Sequence, residues 1–426
     1  MKEKLPSWYD FGKIRASYGV VGHEAAIYEA QQSYTQQTVG GGWIYAITPS
    51  SQGNNRIRPE MKYEWEIGLE SKFFNNRLGF ELSYYSNRVK DQILRVTTAA
   101  TSGAGDVLMN VGELKNKGLE ISLYGTPIST KDWRLDLRGN IAWNKNKVSK
   151  LLDGLPYIEH YNLDNGSAYL RSYVGQPMGD IYAYAPVKDD EGNYIVMKDG
   201  YYLLSEQKVG NAMPKVVGGF ATTLSYKNFV FDMSFDYRIG GSVINTPYQY
   251  MMGQGGIKES LKYHNGEGYG ATYYVDASRN IVPYSGATGP NGERIYDNGI
   301  ILPGVTEDGK PNTKMISADQ WAYWTYNWGG NTPDGDTYYA HSVFDNTYVK
   351  CRELSLGYSL PATILSKIKC KNMTVSVYGR NLFYIYKRLP LFDAEATDGT
   401  NWQNQTQIGG STATTRSIGL ALRASF

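Results

Sequence analysis

The chain has 426 residues and a formal charge of +2, with its Lys and Arg residues scattered, so no patch built to neutralise nucleic-acid phosphates stands out. Its two cysteines, Cys351 and Cys370, are too few for a disulfide scaffold, and no run of about 18 apolar residues exists to cross a membrane as a helix. A composition that is 14% aromatic with a mean hydropathy of −0.45 leaves two classes, a secreted all-β protein or a transmembrane barrel, which hides its membrane signal at every second residue.

The first eleven residues, MKEKLPSWYDF, contain no apolar stretch of signal-peptide type. Phe11 to Val20 then sets Ile14, Ala16 and Tyr18 against Lys13, Arg15 and Ser17, which predicts a strand. A Gln-, Gly- and Thr-rich loop holding Trp43 and Tyr45 is expected from about 22 to 58. Tyr63 to Phe73 opposes Tyr63, Trp65, Ile67 and Leu69 to Glu64, Glu66 and Glu70, and the turn Asn75-Asn76 leads into Leu78, Phe80, Leu82 and Tyr84. Residues 97–110 are small and polar and are expected to be a loop. In VGELKNKGLEISLY, Leu119, Ile121 and Leu123 oppose Glu120 and Ser122. Trp133 to Trp143 puts Trp133, Leu135, Leu137, Ile141 and Trp143 opposite Arg134, Asp136, Arg138 and Asn140, with Trp at both ends as in an interfacial girdle.

Residues 144–209 read as holding short strands at Ile181 to Val187 and Tyr194 to Val196, joined by the turn DDEGN, and either zero or two wall strands by parity; the residues alone do not choose. Phe229 to Arg238, FVFDMSFDYR, is the clearest strand, with Phe229, Phe231, Met233, Phe235 and Tyr237 on one side and Val230, Asp232, Ser234, Asp236 and Arg238 on the other. Ten residues at about 3.3 Å each, tilted by about 45°, rise roughly 23 Å, close to the apolar band of an outer-membrane barrel. Phe220 to Tyr226 precedes it across Lys227-Asn228 as a hairpin partner. A long insertion, 240–344, carries many turn dipeptides and the aromatic run WAYWTYNW. Tyr348 to Leu360, a helical turn in Pro361 to Lys371, a strand with Met373, Val375 and Val377, a loop over 386–414 and a last strand, Thr415 to Phe426, complete the chain.

Short connections alternate with long ones at 22–58, 97–110, 240–344 and 386–414, with 144–209 reading as a further long loop. Short periplasmic turns and long extracellular loops are the habit of bacterial outer-membrane barrels. The predicted fold class is therefore all-β, an antiparallel transmembrane β-barrel contributing about ten to twelve strands.

Seven segments carry a resemblance that runs the length of the chain: KIRASYGVVG (13–22), RPEMKYEWEIGLE (58–70), NVGELKNKGLEISL (110–123), VGQPMGDIYAYAPV (174–187), GVTEDGKPNTK (304–314), YVKCRELSLGYSLP (348–361) and VYGRNLFYIY (377–386). With the terminal Phe426, they resemble the carboxy-terminal part of the SusC/RagA-type TonB-linked outer-membrane receptors of Bacteroidetes. The resemblance implies a barrel of about 22 strands with an amino-terminal plug. It implies uptake of oligosaccharides or peptides with energy from the TonB complex, beneath a SusD-like surface lipoprotein. Signal peptide, TonB-contacting segment and plug are not found among these residues, so the chain is expected to be part of a longer receptor and not to transport alone. The alternative is a secreted β-rich carbohydrate-binding protein.

No site for covalent chemistry is expected. His23, His160, His264 and His341 are isolated, with no second ligand at metal spacing. Asp189-Asp190-Glu191-Gly192 and Asp334-Gly335-Asp336 lack the twelve-residue calcium loop with its closing Glu and read as turns. There is no GxSxG, HExxH or P-loop, and Glu64, Glu66, Asp232 and Asp236 fall on the lumen side as parts of a polar wall. An outer-membrane enzyme is thus disfavoured, and no cofactor is expected. The candidate contact residues are Trp321, Tyr323, Trp324, Tyr326 and Trp328, whose rings would meet substrate or lid, or else form the core of the insertion.

Overall fold

The computed structural model describes residues 6–31, 33–35, 48–98, 101, 103–163, 166–261, 270–326, 337–367, 369–399 and 401–425. Ten strands make one antiparallel wall in chain order. They are β1 (Tyr9–His23), β2 (Glu60–Phe73), β3 (Leu78–Thr97), β4 (Asp106–Ser129), β5 (Trp133–Leu151), β6 (Pro214–Tyr226), β7 (Phe229–Gly240), β8 (Tyr348–Ser359), β9 (Asn372–Lys387) and β10 (Ser417–Ser425). Each pairs with the next, β5 pairing directly with β6 from Trp143↔Val216 to Trp133↔Tyr226. The segment 152–213 therefore adds no strand to the wall, which settles the parity question at zero.

Because side chains alternate, register carries one face across the whole sheet. The row Trp133–Tyr226–Phe229–Tyr358–Val375–Leu422 crosses six strands, and the next, Leu135–Leu224–Phe231–Leu356–Val377–Leu420, repeats it. These side chains are not covered by another layer of the chain: Leu356 is 53% exposed, Val377 52% and Leu420 78%. Side chains that would cost about 25 cal/mol per Å² left in water stand outward in a continuous band, the distribution expected where lipid is the solvent. Trp133 and Tyr226, 4.2 Å apart, and Phe229 and Tyr358, 4.8 Å apart, edge that band at the short-turn end.

The turns explain the short connections. Asn75 and Asn76 both take positive φ (58° and 61°), which asparagine tolerates and which matches the twist of a two-strand ribbon. At the other end β3 and β4 run on to Thr97 and from Asp106, so the connection is shorter than the 97–110 loop the sequence indicates. The polar composition of this stretch hid that extension, since a ladder above the lipid band needs hydrogen bonds and no apolar face.

Most of the buried apolar core lies in a crown beyond the wall, with a smaller cluster where Val111, Leu114, Val148 and Leu151 of β4 and β5 meet Ile158. Tyr157–Leu163, Ala168–Tyr173, Asp180–Pro186 and Leu204–Asn211 form a separate four-stranded sheet, where short strands inside a long loop were expected. Its inner face places Ala168, Leu170, Ile181 and Ala183 against Ile244 and Tyr339. A second four-stranded sheet joins Ala271–Val275, Ile281–Pro283, Ile295–Ile301 and Met315–Ser317. Helices α1 (Thr246–Gly253) and α2 (Ala318–Tyr326) pack beside it, the Asn245 side chain capping α1 by accepting from the Tyr248 N–H. Among the described residues β1 and β10 are each paired along one edge only, so the ten-stranded wall is open at both sides. Both cysteines are free and buried.

Candidate functional site

Helix α2, ADQWAYWTY, turns the aromatic run into two surfaces. At 3.6 residues per turn Ala318, Trp321, Ala322, Thr325 and Tyr326 are buried, packing with Tyr248, Met252, Ile300, Leu302 and Ile316. The Trp321 and Tyr326 rings meet edge to face at 5.3 Å inside this core. Tyr323 and Trp324 point outward, 53% and 37% exposed, with centroids 4.8 Å apart. They border an open cleft of about 570 Å³ that also involves Met252, Gln254, Ser260 and Asp319. The five candidate rings thus do not share one surface, and Trp328 lies outside the described residues, as do Trp43, Tyr45, His264 and the Asp334 to Asp336 turn.

Below α2 the buried Gln249 donates to the Tyr326 carbonyl at 2.8 Å, and His341 Nδ1 lies 2.8 Å from the Tyr338 carbonyl. Burial pushes the His341 imidazole down to about 3, so it is neutral at pH 7. His160, 2.8 Å from the Ser172 hydroxyl and edge-on to Trp402, is pushed by burial to about 4. Asp189 accepts hydrogen bonds from the Glu191 and Asn193 N–H groups and from the Asn193 amide, which closes a hairpin turn.

The inner face of the wall is a lattice of paired charges. Asp232 accepts from Thr223 at 2.6 Å and Ser355 at 3.2 Å, Asp236 accepts from Arg352 at 2.5 Å, and Arg15 bridges Glu66 and Glu81. Asn87 donates to Glu64 at 3.0 Å. A polar recess of about 430 Å³ opens there beside Lys62, Glu64, Glu66 and Glu120.

One feature escaped sequence reasoning. The segment 388–414 between β9 and β10 is tied to the inner wall: Lys350 Nζ donates to Glu395 at 2.5 Å and to Thr414 at 2.7 Å, while Arg352 pairs with Glu395 and Tyr348 donates to it at 3.1 Å. Burial raises the Asp393 carboxyl, but hydrogen bonds from Thr414 and Tyr384 outweigh it and hold that group at about 2. The signal was present as two cations and two carboxylates, each pair two residues apart, Lys350/Arg352 and Asp393/Glu395.

The comparisons agree with this geometry. The family model for "TonB dependent receptor-like, beta-barrel" matches residues 6–245. "TonB-dependent receptor P3" of Formosa agariphila is 25% identical over 97% of this chain and 39% of its own length. "TonB-dependent receptor SusC" of Bacteroides thetaiotaomicron is 26% identical over 59% of this chain and 27% of its own. The solved structure titled "Structure of the RagAB peptide transporter" superposes with a TM-score of 0.66 over 100% of this chain and 42% of that one, at 21% identity, which speaks to fold alone. The chain spans about two fifths of the length of the first curated relatives it matches. The chain belongs to the TonB dependent receptor-like β-barrel family of the outer membrane, in its SusC/RagA-type branch.

Proposed function

We propose that this chain supplies part of the wall and the exterior crown of an importer that takes up oligosaccharides or peptides, driven through the TonB complex and covered by a SusD-like lipoprotein. The observation that carries the reading is the division of the sheet into an exposed apolar face and an inner face of paired polar and charged groups, with the folded crown at the end opposite the short turns. An open edge in lipid leaves unpaired N–H and C=O groups at several kcal/mol each, so further strands of the receptor are expected to pair with β1 and β10. Tyr323 and Trp324 are the rings of α2 free to meet substrate or lid.

The test uses the complete receptor in the outer membrane. Import of a labelled oligosaccharide or peptide should require the receptor and stop when the proton gradient is dissipated. Recovery of the receptor from the soluble fraction without detergent would instead favour a secreted carbohydrate-binding protein.

A further inference from the structure

The outer face of the 157–211 crown sheet is not used by the core beneath it. Register puts Tyr157, Tyr169, Tyr173 and Tyr182 together on that face, opposite the buried Leu170 and Ile181. All four rings are half-buried. Tyr157 and Tyr173 lie 4.9 Å apart and Tyr173 and Tyr182 5.2 Å apart, a continuous row across three strands. Beneath the rings sits Arg171, only 7% exposed, its guanidinium 3.8 Å from the Tyr169 centroid and 4.7 Å from that of Tyr157. Glu159 at 2.9 Å and Glu206 at 2.5 Å hold it from either side.

We infer that this face is a binding platform for a neutral oligosaccharide, distinct from the α2 cleft and independent of whether α2 meets the lid. Charge selects the ligand class. Arg171 is committed to two carboxylates, and Lys208, the other cation of this face, donates to Asp180 at 2.7 Å, so neither is left to attract an anion. Glu206, exposed at the edge of the row, keeps acceptor capacity for hydroxyl groups. Flat rings with polar rims cover the C–H face of a pyranose with little loss of side-chain entropy, and a pinned Arg171 keeps Tyr157 and Tyr169 from collapsing on each other.

The experiment is titration calorimetry on the complete receptor in detergent, with neutral hexasaccharides of differing linkage, an acidic hexasaccharide and a pentalysine peptide as probes. At least one neutral hexasaccharide should bind, and Tyr173→Ala and Tyr182→Ala should each weaken it about tenfold. Tyr173→Trp, which keeps the stacking surface, should retain binding, and unchanged thermal unfolding of the variants shows that the sheet is intact. Tyr296→Ala, which removes a partly exposed ring from the other crown sheet, should leave this binding unaltered. Absence of binding by every neutral probe, binding indifferent to both alanine variants, or tyrosine-dependent binding of the acidic sugar or the peptide instead would each overturn the assignment.

Discussion

Lys350, 2% exposed on strand β8, donates to Glu395 across 2.5 Å and so joins the wall to the segment that links β9 to β10. Breaking one member of such a buried pair leaves its partner uncompensated, whereas an isolated surface pair contributes little. Glu395 also receives Arg352 and Tyr348, so its loss strips two cations of one carboxylate, whereas loss of Lys350 leaves Glu395 paired with Arg352. Glu395→Ala should destabilise the docked segment by about 3 kcal/mol and Lys350→Met by less. Hydrogen exchange in residues 388–414, followed by mass spectrometry, should rise in that order while exchange in β6 and β7 stays slow.

The outward face of β7 makes a contrast of solvents testable. Met233 lies in the middle of the apolar band and Ser234 beside it on the inner face. Met233→Arg should cost about 2–4 kcal/mol in a lipid bilayer, and Ser234→Arg much less. Unfolding of the complete receptor in lipid vesicles measures both. Equal costs would mean that the apolar face does not meet lipid.

Helix α2 separates buried rings from exposed ones within nine residues. Trp321→Ala removes a ring from the crown core and should destabilise the crown by about 3–5 kcal/mol. Tyr323→Ala and Trp324→Ala remove exposed rings and should leave crown stability within about 1 kcal/mol. If these rings meet the lid, the double variant should weaken association with the SusD-like lipoprotein in a pull-down from detergent extract without shifting thermal unfolding.

The crown should loosen in acid. Burial depresses His160 to about 4 and His341 to about 3, below the ordinary value of 6.5. Above pH 6.5 both folded and unfolded states hold neutral rings, and the full stability is present. Between pH 6.5 and about 4 the unfolded state takes up protons that the folded state refuses, so stability falls with pH by up to about 1.4 kcal/mol per unit for each ring. Exchange protection of Ala168–Tyr173 measured from pH 7.5 to 5 should drop, and His160→Gln should flatten part of that slope.

Much of the wall was legible as residues. The alternation in Phe229 to Tyr237 matches the face seen across β6, β7 and β8, and the turns Asn75-Asn76 and Lys227-Asn228 stand where two strands meet. In the crown, short strands near Ile181 and Ile195 were legible, but their packing was not. Tyr161 meets Thr406 across 245 positions, and Lys350 meets Glu395 across 45. Nothing local in either partner announces such a contact. The rings of α2 were visible as a cluster, but which of them faced inward depended on where Ile300, Leu302 and Ile316 came to lie.

The sequence by itself determined ten strands of the wall and the side each of their residues takes, because a period of two and short turns are properties of neighbouring residues. Only the tertiary structure decided that 152–213 leaves the wall to build its own sheet, that Trp321 and Tyr326 turn inward, and that residues 388–414 fasten to Lys350 and Arg352. Those outcomes depend on burial and charge pairing between distant segments, and such energies exist only once the chain has brought the partners together.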